Sequence, residues 1–97
     1  VINIRFHQGA AQELREAARY YELQVAGLGL AFIADVERTT TRILENPAIG
    51  ATTWQHYRRM LVRRFPFTVI YRPRKDMLYV VAVAHHHRQP NYWQTRA

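Results

Sequence analysis

The stretch Leu78-Tyr79-Val80-Val81-Ala82-Val83-Ala84 decides the fold. It carries no charge and is rich in β-branched valine, so it reads as an extended segment that is apolar on both faces. A strand with one wet face would alternate, so this one belongs inside a sheet covered by helices on one side. Even with Met77 added, the run is far shorter than the roughly 20 apolar residues that a membrane-crossing helix needs. The N-terminus shows no cationic segment followed by an apolar one, and a soluble, cytoplasmic protein is expected.

Upstream of that strand, the polar turn Pro73-Arg74-Lys75-Asp76 joins it to another, in which Phe67, Val69 and Tyr71 alternate with Thr68, Ile70 and Arg72. The two form a hairpin. Pro66 breaks the chain before it, and Tyr57 to Val62 reads as a further strand, with Met60 and Val62 on one face and Arg59, Leu61 and Arg63 on the other. Earlier still the period changes. Leu14, Ala17, Ala18, Tyr21 and Val25 recur at helical spacing between about Gly9 and Val25, and Phe32, Val36, Ile43 and Leu44 mark a second helix that stops at Asn46-Pro47. Gly27 and Gly29, bracketing Leu28, are read as the turn between the helices. Ile2 to Phe6 alternates as a short first strand.

The expected architecture is α+β in the order β-α-α-β-β-β, with a helical hairpin packed on a small, mostly antiparallel sheet. A length of 97 residues allows one core, so residues 1–97 are expected to form a single domain whose other sheet face is partly open.

Charge is spread unevenly. The net charge is +7, yet residues 1–50 sum to −1 and residues 51–97 to +8. The second half therefore attracts a polyanion: nucleic acid, an anionic membrane surface or an acidic protein segment. Nearly all of that charge is arginine, whose planar fork suits bidentate contacts to phosphate or carboxylate. Arg59, Arg63, Arg72, His85 and Arg88 are the candidate basic functional surface. Tyr20 and Trp93 are candidate contacts to a partner or to the domain's own surface, whereas Tyr21 lies on a helix stripe and is expected in the core.

Cysteine is absent, which excludes disulfides, thiolate metal sites and a cysteine nucleophile. The run His85-His86-His87 invites a zinc reading, but no cysteine or nearby carboxylate completes a ligand set, and neither metal nor cofactor is expected.

Five segments together resemble the RelE/ParE superfamily of type II toxin–antitoxin toxins, also called plasmid stabilisation proteins. They are Glu13 to Glu22, Gly27-Leu28-Gly29 with Phe32, Ile43 to Pro47, Arg64 to Arg72, and Ala82 to His85 with Arg88, Pro90, Tyr92 and Trp93. The resemblance covers most of the chain and rests on order and spacing. It implies a toxin that arrests growth when free and is neutralised in a hetero-oligomer by an antitoxin. The antitoxin's flexible, acidic segment would seat on the basic half.

The superfamily divides by mechanism. RelE-like members cut messenger RNA on the ribosome, and ParE-like members block DNA gyrase. The RelE pattern implies an arginine in the third strand, where this chain has Thr68, and another at the end of the last strand, where it has His86. Its tail tyrosine matches Tyr92, and one of its two basic second-strand positions matches Arg63, while Leu61 fills the other. RNA cleavage by its own 2′-hydroxyl needs a base, a cation and an acid. His86, Arg63 and Tyr92 are the candidates for those roles if the chain is an endoribonuclease. The incomplete set and the Arg64-Phe65-Pro66-Phe67 strand favour the ParE-like branch, which is not a nuclease. A non-toxic binding module is the third reading.

Overall fold

The computed structural model describes residues 3–97, so Ile2, expected in the first strand, lies outside the described residues. Strand β1 (Asn3–Phe6) leads into helices α1 (Gln8–Gln24) and α2 (Leu28–Glu45). Then follow β2 (Ala51–Thr52), β3 (Arg58–Leu61), β4 (Phe67–Arg74) and β5 (Met77–His85), and a 3-10 helix over Tyr92–Arg96. The strands form one five-stranded sheet in the order β1-β5-β4-β3-β2. Only β1 runs parallel to its neighbour, β5, and the other pairings are antiparallel. The expected α+β plan of a helical hairpin on a mostly antiparallel sheet is the one observed. Two small elements add to it, β2 and the 3-10 helix.

The apolar run of β5 does face both ways, with a local cause. The pairing of β4 with β5 shifts between Ile70 and Tyr71, a bulge that leaves Val81 extra on β5. Such an insertion reverses the facing of everything beyond it. Leu78, Val80 and Val83 accordingly pack with the helices, and Val81, Ala82 and Ala84 pack on the opposite face.

Under the helices, Phe32, Val36, Ile43, Val69, Tyr71 and Val80 are almost wholly buried. Tyr21 joins them, its ring centred 4.8 Å from that of Phe65 and 5.4 Å from that of Phe32. The turn between the helices is tighter than expected. Gly27 alone adopts a left-handed conformation, with φ of 87°, and Gly29 lies inside α2. A side chain at Gly29 would place its Cβ 2.4 Å from the Ala18 carbonyl oxygen, so this glycine serves the close approach of the helices. The Glu22 carboxylate accepts from the backbone N–H groups of Gly27 (2.8 Å) and Gly29 (3.0 Å), satisfying orphan donors at the start of α2.

Buried Asp35 ties α2 to the loop between β3 and β4. One of its oxygens accepts from the Arg64 backbone N–H at 2.8 Å, and the other lies 3.3 Å from the Arg38 guanidinium. The chain bends there, so β3 ends at Leu61 and Arg63 stands on the loop, not on the strand face expected for it. Among the described residues, no helix is long and apolar enough to cross a membrane.

Candidate functional site

The face of the sheet away from the helices carries a second, thinner apolar layer. Trp93 from the 3-10 helix packs on Tyr57 and Trp54, with ring centroids 5.2 and 5.8 Å away. Beside this layer opens a basin of about 330 Å³. Arg59 and Leu61 of β3 and Thr68 and Ile70 of β4 form one part of its wall. His85, His86 and Arg88 at the end of β5 form another, and Tyr92 and Trp93 a third.

The basin unites several of the candidates. Arg59 and Arg88 are exposed there, and His86 contacts Thr68 directly, its Nε2 lying 3.1 Å from the threonine Oγ1. Other candidates lie elsewhere. Arg63 is on the β3–β4 loop and outside the basin wall, and Arg72 sits with its guanidinium 5.9 Å from the centre of the Tyr57 ring. Tyr20, 60% exposed, is on α1 on the opposite side of the sheet.

Trp93 takes the second of its two alternatives, and His85 departs from the exposed basic residues. Trp93 is only 3% exposed and is committed to the molecule's own core, so it cannot offer its ring to a partner. His85, a candidate for the basic surface, has its pKa lowered, first by burial and then by the charges of His87 and His86. Its Nδ1 also accepts from the His87 backbone N–H at 3.0 Å, and its ring meets Phe67 edge-on at 5.0 Å. It is a packed imidazole at the rim whose surroundings disfavour the charged form.

Tyr92 lines the basin with its ring, but its hydroxyl turns away and donates to Glu13 Oε2 at 2.5 Å. Burial, reinforced by that hydrogen bond, raises the phenol far above its ordinary value, so it holds its proton. Glu13 also receives the Arg96 guanidinium at 3.0 and 3.1 Å. The apolar stripe of α1 does not include Glu13, and nothing in it announces this cluster. The spacing of Glu13 signals only that it faces the packed side of the helix, one turn before Ala17 and three residues after Ala10. Among the described residues, no group of three or more histidine, aspartate or glutamate side chains could hold a metal ion.

The helical hairpin on a mixed sheet is a fold shared with solved structures. A chain of the chromosomal ParDE toxin–antitoxin system from P. aeruginosa superposes with a TM-score of 0.71 at 16% identity, covering 87% of this chain and 95% of that one. The isolated E. coli RelE toxin superposes with a TM-score of 0.66 at 17% identity, covering 99% and 96%. These likenesses give the fold. The sequence goes further: the pattern of the family described as "ParE toxin of type II toxin-antitoxin system, parDE" matches residues 4–90. Toxin ParE2 of Mycobacterium tuberculosis is 30% identical over 89 residues, which span 91% of this chain and 85% of that toxin. The chain belongs to the ParE toxin family of type II toxin–antitoxin systems.

Proposed function

We propose that this chain arrests growth when free of its antitoxin by inhibiting DNA gyrase, through protein contact and not through chemistry of its own. The observation that carries this reading is the Thr68–His86 contact in the basin wall. A hydroxyl and an imidazole stand, hydrogen-bonded to each other, at the two positions where the RelE pattern has arginines. At those two positions a pentacoordinate phosphate would meet no guanidinium, although Arg59 and Arg88 stand elsewhere on the wall. The phenol of Tyr92 is bound to a carboxylate and holds its proton too tightly to act as the acid, and Arg63 is outside the basin. These features favour a contact surface over a nuclease site.

The exposed arginines of the basin wall and of the β3–β4 loop suit the antitoxin. Arg59, Arg63 and Arg88 are exposed, and an acidic, flexible segment laid across them would gain both affinity and register from their charge. A toxin–antitoxin hetero-oligomer in the cytoplasm follows from this reading.

Supercoiling by gyrase with increasing amounts of purified toxin is the direct test. Inhibition that saturates with toxin is expected, and unimpaired supercoiling at saturating toxin would sink the proposal. Cleavage of ribosome-bound messenger RNA in a translating extract would replace it with the endoribonuclease reading. Normal growth on expression without antitoxin would leave only a binding module.

A further inference from the structure

Strand β1 accompanies β5 only part of the way. Their pairing ends at Phe6 and Val80, with a last bond from the His7 N–H to the Val80 carbonyl at 2.9 Å, after which the chain turns into α1. Among the described residues no strand pairs with the remaining half of β5 on that side, and bare edge groups in a sheet are costly or sticky. Side chains take the place of the missing strand. The Val83 N–H donates to Glu13 Oε1 at 3.0 Å, and the Val81 carbonyl accepts from Arg96 at 3.1 Å.

Those same two side chains hold the tail. Glu13 and Arg96 bond each other through both carboxylate oxygens, with side chains only 12% and 17% exposed. Tyr92 donates to Glu13 from the other end of the 3-10 helix, and Arg88 reaches the same carboxylate at 3.4 Å. Helix α1 makes room for the arrangement at Gly9, where a Cβ would fall 2.6 Å from the Arg96 guanidinium carbon. Glu13 does not line the basin, yet Tyr92 and Trp93, whose segment it anchors, form part of the basin wall.

We infer that Glu13 is a positioning residue: it closes the unpaired edge of β5 and latches the C-terminal segment, and through that latch sets the shape of the toxic surface. The second half of this statement rests on the toxin reading above; the first does not. Glu13→Gln keeps the size but offers one acceptor oxygen to donors that need two, and turns an amide N–H₂ toward the guanidinium. Amide exchange of residues 92–97 is expected to rise about tenfold or more, the effect of losing charged hydrogen bonds, with exchange in α2 and β4 unchanged. Arg96→Gln approaches from the other partner and spares helix α1. It should loosen the same amides, and the double variant should be no looser than either single one.

Unchanged tail exchange in Glu13→Gln, or fully additive effects in the double variant, would overturn the latch. For the functional half, both variants are expressed without antitoxin at matched protein level. Weaker growth arrest is expected, and full arrest with a loosened tail would remove the tail from the toxic surface. If wild-type toxin leaves gyrase unimpaired while the exchange results hold, the gyrase reading falls and the latch stands.

Discussion

On the helical face of the sheet, the rings of Tyr21, Phe32, Phe65 and Phe67 meet at centroid distances of 4.8 to 6.3 Å, beneath two long helices. On the other face, Trp54, Tyr57 and Trp93 meet at 5.2 to 6.2 Å beneath a single 3-10 helix. Aromatic packing is similar in kind, but the covers are held differently. The helices bury continuous apolar stripes and are retained by the hydrophobic effect, which is non-directional and grows with area. The 3-10 helix has one large apolar anchor, Trp93, and depends on a few directional bonds to Glu13. The first face is built to persist, the second to present a surface.

That contrast can be broken from either side. The largest effect is expected for Phe32→Ala, which empties the centre of the helical face and should cost about 3–5 kcal/mol, enough to unfold a marginal domain in a urea titration. Trp93→Ala removes the anchor of the thin face and should cost about 2–4 kcal/mol, since a short segment can partly collapse into the gap. Amide exchange would separate the two: the loss should spread over the whole protein for Phe32 and concentrate in the C-terminal segment and β3 for Trp93.

A smaller effect is expected where the helical face is pinned by polar contacts. The buried Tyr71 hydroxyl donates to the Pro47 carbonyl and accepts from the Gly50 N–H, both at 2.9 Å, fixing the loop that leads into β2. Tyr71→Phe should cost about 1–2 kcal/mol in denaturant titrations, leaving the Gly50 N–H without its acceptor.

The smallest effect is a slope with pH at the rim shared by both faces. The folded state lowers the pKa of His85 below its ordinary 6.5, so on acidification the unfolded chain takes up this proton first. The stabilisation is complete above about 6.5 and is lost as pH falls through the folded value. The urea midpoint should fall modestly between about pH 7 and pH 5, and His85→Asn should reduce that slope.

The helical face was legible in the sequence because it is encoded locally. Leu14, Ala17, Ala18 and Tyr21 repeat at helical spacing, Phe67, Val69 and Tyr71 at strand spacing, and both periods point inward. Strand β2 has two residues, too few to show any period. Gly29 looked like a turn residue because a glycine needed for close helix contact is written with the same letter as one needed for a left-handed backbone. The open face depended on distant partners. Trp93 looked available to a partner in a polar tail because its pocket is made by Trp54 and Tyr57, far away in sequence. Glu13 meets Arg96 across 83 positions, and no local pattern announces such a pair. Arg63 left the basin because buried Asp35 captures the neighbouring backbone, a contact equally invisible in either segment alone.

Both tryptophans of the chain, Trp54 and Trp93, sit in the thin aromatic layer, and none lies under the helices. The molecule therefore carries its own optical reporter on one face only. Indole emission follows the environment of the basin wall, so a partner that settles there would change the colour or intensity of unlabelled toxin, whereas one that binds the helices would leave it dark to this probe.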